Sequence, residues 1–525
     1  MPLILGGDAW GTLKARRVTA VPDRALPHPD LPLAQALAAD LDAADFRSDP
    51  LRRLWGEEAD DALARGLREP ILRALGTREG ALATLGRLWV LGMPQPRAAV
   101  EAALERSGTA GAVALGLVSV DGDVVRPEAL IRPQSFVDAD GVGEWWIASD
   151  LDEIALGTAL PADHVLGVGG ASRTLAELVV QVQVERALDL GTGCGIQALL
   201  IARHASTVVA TDISSRALAF AELNAQLNGV RNIEFRLGSL FEPVEGESFD
   251  LIISNPPFVI TPRASGVTEY EYRDGGLIGD ALVEQFLRGV TVHLAPGGIA
   301  QLLGNWESRW GTDSAGLDRV RSWVAEDLDA WVIQREELTP LGYAELWIRD
   351  GGTLPRDAEF TRLLTAWLDD FAERRVTAIG FGYILLRRPV SAGATLRRFE
   401  TVSQPVSNLG RALGAGLAAH DALADGIPRT LVVAGDVTEA RHFMPGNDDP
   451  SVIELRQGGG FARTVSVDSA LAGFVGACDG ELTVAQIAAA LADLFEVPLA
   501  ELWADLEPRI RELVLTGILI PAETD

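Results

Sequence analysis

An apolar run that passes straight into three alternating glycines, Ala187-Leu-Asp-Leu-Gly-Thr-Gly-Cys-Gly-Ile196, constrains this chain more than any other segment. Glycines at 191, 193 and 195 permit a tight turn and bring bare backbone close to a ligand. A helix over Gln197–His204 then presents the N–H groups of its first turn, which favour a carboxylate. A second apolar run, Thr207–Thr211, ends at Asp212, 21 residues beyond Gly191. An acid at that separation accepts hydrogen bonds from both hydroxyls of a ribose. These features fix a parallel strand–turn–helix–strand unit built to hold a nucleoside, and they suit a dinucleotide as well as a methyl donor.

The downstream segments separate the two. A third strand, Asn232–Leu237, leads to Gly238-Ser239-Leu240-Phe241, where Ser239 and Leu240 meet the adenine edge while Ile213 covers its face. A fourth, Phe249–Ser254, ends in Asn255-Pro256-Pro257-Phe258 at the carboxyl edge of the sheet, where ligands of open α/β folds bind. A conjugated amino group is a poor nucleophile because its lone pair is delocalised. Two acceptors fixed beside it, the Asn255 side-chain oxygen and the Pro256 carbonyl, hold its hydrogens and stabilise the positive charge that develops on attack. The prolines keep those acceptors rigid, and Phe258 offers a flat face for a base or an amide. The pattern therefore predicts methyl transfer from S-adenosylmethionine to a planar nitrogen, with Asn255, Pro256, Pro257 and Phe258 as the catalytic tetrapeptide. The predicted cofactor contacts are Asp189, Gly191, Thr192, Gly193, Gly195, Asp212, Ile213, Ser239, Leu240 and Asn255. Tyr270, Tyr272 and Arg273, in the polar loop that follows, join Phe258 as candidate substrate contacts. His164, Ser172 and Arg173 either line the methionine end of the cofactor or belong to a plain glycine turn.

Net charge is −29, which sets the chain against a phosphate backbone unless a local basic surface intervenes. Cys194 and Cys478 are its only cysteines. They are too few for a disulfide framework, and no Cys/His cluster has metal-ligand spacing, so a reducing cytoplasm and no metal are expected. No membrane span is expected either.

At 525 residues the chain has room for three or four domains. Residues 1–150 read as a helical, winged-helix-like domain, with helices followed by a hairpin around Asp121-Gly122-Asp123. Residues 151–390 alternate short strands with amphipathic helices, the pattern of a parallel sheet with crossover helices. Residues 391–525 form an accessory region ending in a second winged-helix-like module, whose helix starts at Thr483. Trp145-Trp146 are expected in core or interdomain packing.

Residues ~160–305 resemble the small-domain class I S-adenosylmethionine-dependent methyltransferases. That group includes the release-factor glutamine methyltransferases and the ribosomal RNA guanine-N2 methyltransferases. The resemblance rests on Leu188-Asp-Leu-Gly-Thr-Gly-Cys-Gly195, Thr211-Asp212, the Leu-Asn-Ala-Gln-Leu-Asn-Gly stretch that ends the following helix, and Ser254-Asn-Pro-Pro-Phe258. The wider layout is similar to long actinobacterial methyltransferases with accessory domains. The resemblance implies a Rossmann-like, seven-stranded α/β core whose last strand, Val376–Leu386, runs antiparallel near the edge. Phe258 is typical of the ribosomal RNA branch. With the paired winged-helix-like modules, which favour nucleic acid, the first reading of the substrate is a base of RNA or DNA; the alternatives, which the acidic charge favours, are a glutamine-type amide of a protein or peptide, and a small molecule.

Overall fold

The computed structural model describes residues 26–522 except 139–140, 159, 265–266, 268–272, 312–314, 391–392 and 403–408. Tyr270 and Tyr272 lie outside the described residues.

Eight strands form the central sheet: β1 (Val184–Leu190), β2 (Ala205–Asp212), β3 (Ile233–Leu237), β4 (Phe249–Ser254), β5 (Leu294–Arg309), β6 (Asp329–Leu338), β7 (Val376–Arg387) and β8 (Arg397–Thr401). Their order is β8-β6-β7-β5-β4-β1-β2-β3. Strands β1 to β5 run parallel, while β7 is antiparallel to both β5 and β6. The sheet is covered on both faces, so its central strands read as nearly continuous apolar runs: Leu188, Ile252, Ala300, Val332 and Ile384 are all fully buried. From β1 the chain winds outward through β2 to β3, then returns to β4 and winds the other way. The crevice beyond the carboxyl ends of β1 and β4 is therefore the topological switch point where ligands of such sheets bind.

One expectation is corrected: the sheet has eight strands rather than seven, because Arg397–Thr401 pairs in parallel with β6. The antiparallel strand expected in the edge region is β7, inserted between β5 and β6 and third from that end of the sheet.

Helices α1 (Gly170–Leu178), α2 (Ile196–Ile201), α3 (Ser215–Leu227), α4 (Ala281–His293), α5 (Gly316–Trp323), α6 (Pro340–Asp350) and α7 (Ala358–Glu373) belong to this region. Short helices fill most of the chain between Leu31 and Ala114, and a tight hairpin pairs Asp121 with Val124 around Gly122-Asp123 as expected. A longer hairpin, Ala129–Asp138 with Gly141–Asp150, was not expected. Its strands carry Pro133, Gly141 and Gly143 and no clean alternation, so the local signal is poor. Trp146 in this hairpin is buried, with its indole N–H donating to the Phe46 carbonyl at 2.7 Å, and Trp145 stacks on Phe136. The N-terminal core, with Phe46, Trp89 and Trp146, runs without a break into Cys194, Ile196 and Phe220 of α2 and α3.

After β8, the helix Leu409–Ala424 lays Leu409, Leu413 and Leu417 on the sheet face that carries Trp331 and Leu385. Beyond it lies a separate core around Leu431, Phe474, Leu506 and Ile510. Thr483 caps its helix in a capping box with Gln486. The junction is fastened by Glu400, which accepts hydrogen bonds from the Trp331 indole at 2.7 Å and from Arg398 and Arg463. Burial opposes ionisation there, yet the two guanidinium groups outweigh it and hold the Glu400 carboxyl at about 2. No helix among the described residues is long and apolar enough to cross a membrane.

Candidate active site

The glycine loop joins β1 to α2, and its three glycines do two different jobs. All three have positive φ, at 77°, 55° and 87° for Gly191, Gly193 and Gly195. A Cβ built on Gly191 or Gly193 would meet nothing within 4 Å, so these two leave open space in front of the loop. A Cβ on Gly195 would sit 2.9 Å from that of Ala221, so this glycine lets α2 pack against α3. The amides of Gly191 and Thr192 both donate to the Thr211 carbonyl at 2.9 Å, which ties the loop to the end of β2.

Asp212 stands at that end, partly buried. One carboxylate oxygen accepts from the Gly193 amide and the other from the Ser214 amide, both at 2.9 Å. Each oxygen keeps a lone pair for a further donor, as binding to two ribose hydroxyls demands. Beside it, Ile213 and Leu237 are 60% and 61% exposed, unusual for side chains of this kind and suited to a flat apolar ligand. Ser239 and Leu240 follow, Leu240 at a φ of 47°, and the Gly238 amide donates to the Asp212 carbonyl. The predicted adenine contacts thus lie together at the tips of β2 and β3.

Asp189 is wholly buried under the loop. One of its oxygens accepts from the Thr192 hydroxyl at 2.6 Å and from the Ala198 amide at 2.9 Å, while the other has no hydrogen-bond partner. Burial outweighs those bonds and pushes the carboxyl from 3.8 up to about 7. Between those values the folded chain keeps a proton that the unfolded chain releases. The group therefore favours folding fully below 3.8, and that contribution is lost as pH rises towards about 7. Urea unfolding across this window is expected to show Asp189→Asn flattening the decline in stability, by up to about 1.4 kcal/mol per pH unit. An unchanged slope would contradict the assigned protonation. Burial also pushes the Cys194 thiol up to about 11, which leaves no thiolate to act as a nucleophile at neutral pH.

Asn255 follows β4, next to the loop because Ser254 donates its hydroxyl to the Leu190 carbonyl at 2.7 Å. The Asn255 amide nitrogen donates to the Ser172 hydroxyl at 3.3 Å, and its oxygen is buried without a partner. A buried acceptor left unmatched costs free energy, so this oxygen is a strong candidate for a ligand contact. Ser172 sits on α1, and its carbonyl accepts from the Gln197 side chain at 2.7 Å. The segment before β1 is therefore not a plain turn: Ser172 orients Asn255, whereas His164 is buried beside Asp150 at 3.9 Å. Pro256 is buried, and Pro257 and Phe258 are half-buried. Phe258 bridges to Asp274, and the Ile260 amide donates to the Tyr343 hydroxyl at 3.0 Å. That hydroxyl also accepts from the Asn305 side chain at 2.7 Å, a hub fixing the tetrapeptide's exit that no sequence spacing announced. Arg273 is buried, donating to the Trp347 carbonyl and ion-paired with Asp350 at 3.2 Å. Its guanidinium is engaged at the end of α6.

The residues present fit S-adenosylmethionine: an open glycine cradle, a carboxylate with spare lone pairs as two ribose hydroxyls would require, exposed apolar side chains beside it, and an unmatched buried acceptor at the end of β4. The family described as Methyltransferase small domain matches residues 167–307, and a domain of unknown function matches 43–128. The release factor glutamine methyltransferase of Xylella fastidiosa (strain Temecula1) is 36% identical over 176 residues, covering 30% of this chain and 63% of that protein. The release factor glutamine methyltransferase of Gloeobacter violaceus is 32% identical over 204 residues, covering 31% of this chain and 71% of its own length. The ribosomal protein uL3 glutamine methyltransferase of Bradyrhizobium diazoefficiens is 38% identical over 125 residues, 22% of this chain and 39% of that one. The shared region holds the glycine cradle, Asp212 and the Asn255 tetrapeptide, and the chain belongs to the class I S-adenosylmethionine-dependent methyltransferases of the small-domain, N5-glutamine and ribosomal RNA methyltransferase-like group.

Proposed function

We propose that this chain methylates the side-chain amide nitrogen of a glutamine-type residue in a protein, with S-adenosylmethionine as donor. The observation that carries the nitrogen assignment is the buried, unpartnered Asn255 oxygen beside the glycine cradle. The bound cofactor supplies an electrophilic methyl on a sulfonium. Asn255 and the Pro256 carbonyl hold the two amide hydrogens, which turns the nitrogen lone pair out of conjugation and towards that methyl. The same acceptors would stabilise the positive charge that the amide nitrogen gains on accepting the methyl, until that nitrogen gives up a proton to water. Phe258 stacks on the planar amide and keeps water from the reacting atoms.

Two features favour a protein over the nucleic acid of the first reading. The relatives named above are glutamine methyltransferases of a release factor and a ribosomal protein. A net charge of −29 also repels phosphate. Residues up to 150 and after 390 are read as accessory regions that select the substrate. The test incubates the full chain with methyl-labelled S-adenosylmethionine and separated protein, RNA, DNA and small-molecule pools from the source cell. Label is expected in protein and released as methylamine by acid hydrolysis. Label recovered in RNA or DNA bases instead would reinstate the nucleic-acid reading.

A further inference from the structure

Helix α3 and its C-cap residue grip the long N-terminal hairpin through two asparagines, Asn224 and Asn228. Asn228 accepts from the Trp146 amide at 2.9 Å and donates to the Trp146 carbonyl at 2.8 Å. Asn224 treats Ala148 in the same way, at 2.7 Å and 2.9 Å. Four residues along a helix rise ~6 Å and two along a strand ~6.7 Å, so asparagines at this spacing imitate a neighbouring strand and pair with two alternate residues of Gly141–Asp150, Trp146 and Ala148. Two residues on, Asp150 forms a buried ion pair with Arg216 in the first turn of the same helix.

The two asparagines differ in where the second amide hydrogen goes. Asn228 donates it to the Asn224 backbone carbonyl at 2.8 Å, within its own helix end, whereas Asn224 donates it to the Cys194 carbonyl in the glycine loop, at 2.8 Å. The peptide joining Cys194 to Gly195 is thus held at both ends, because the Gly195 amide donates to the Thr192 carbonyl at 2.9 Å. Glycine pays for its positive φ with a wide choice of other conformations, and only such bonds keep the cradle in the binding shape. Asn224 is fully buried, with both donors and its oxygen engaged.

We propose that Asn224 is a positioning residue for the cofactor, which makes the shape of the glycine loop depend on the seating of the hairpin strand Gly141–Asp150. The proposal rests on the reading that Gly191–Gly195 cradles S-adenosylmethionine. Coupling of this kind is reciprocal: whatever the strand does for the cofactor, the cofactor does for the strand.

The experiment uses the full chain and S-adenosylhomocysteine as probe. Calorimetry is expected to show at least a tenfold loss of affinity in Asn224→Ala, against less than twofold in Asn228→Ala, which loses the same strand bonds but none to the loop. In the unaltered protein, saturating probe is expected to slow hydrogen exchange of the Ala148 amide at least tenfold more than that of Leu506 in the C-terminal core. This arm needs no variant to fold. Equal affinities in the two variants, or exchange at Ala148 that changes no more than at Leu506, would overturn the role of Asn224 and leave the cradle in place. An unaltered protein that does not bind the probe would overturn both.

Discussion

Asn255→Ala is expected to lower turnover by ~10²–10³ while cofactor affinity stays within a few-fold, since removing one preorganised acceptor of developing charge costs about that much. The geometry supports the split. The Asn255 nitrogen is anchored on Ser172, outside the glycine cradle, and its oxygen is the unmatched atom. Removing the oxygen takes away a contact made fully only as charge appears on the substrate nitrogen, so kcat falls rather than the affinity for the donor. Asn255→Asp keeps an acceptor and adds charge, and is expected to retain partial activity. Single-turnover rates with saturating S-adenosylmethionine, beside calorimetric affinities, make the comparison. If both variants turn over at the parental rate, the tetrapeptide is a strand-end turn and the methyl acceptor is not nitrogen.

Asp212→Ala is expected to act on the other quantity. Losing charged hydrogen bonds to both ribose hydroxyls costs on the order of 1.5–3 kcal/mol, roughly a 10- to 150-fold weaker dissociation constant for S-adenosylhomocysteine. The Asp212 carboxylate also receives the amides of Gly193 and Ser214, so the variant slackens the loop that it should be reading. Asp212→Asn separates the two effects: it keeps one acceptor and nearly the same shape, and should fall between the parent and the alanine variant. Burial raises the Asp212 carboxyl above the ordinary range, so affinity should weaken as pH falls and this group takes up a proton. An alanine variant that binds as the parent does would remove Asp212 from the site.

The elements of the candidate site at the switch point are legible in sequence because they are local. Gly191, Gly193 and Gly195 sit within five residues, Asp212 terminates a strand, and Asn255-Pro256-Pro257-Phe258 is contiguous, so each can be read without knowing what packs against it. Partners distant in sequence are not. Tyr343 meets Ile260 across 83 residues and Asn224 meets Ala148 across 76, and neither pairing leaves a periodicity or a turn signal. Asn224 and Asn228 were visible only as part of a resemblance; their four-residue spacing, which matches two residues of a strand, was the physical signal to hand. Arg273 is a candidate substrate contact from its place after two tyrosines in a polar loop, and its burial against α6 leaves no local mark in the sequence. Strand β8 was missed because five residues rich in arginine, Arg397–Thr401, look like surface until a neighbouring strand is known.

That short strand has a consequence for how the chain tolerates being cut. Without it, the outer backbone groups of β6 would lie open along Ala330–Gln334, beside apolar side chains. An open, unpaired edge of that kind is a template for another chain. The arginine-rich strand, whose Arg398 reaches Glu512 and whose Glu400 takes Arg463, thus shields the sheet from self-association and ties that shield to the C-terminal region. Proteolysis near Pro389 would therefore threaten solubility before it reached any residue of the active site.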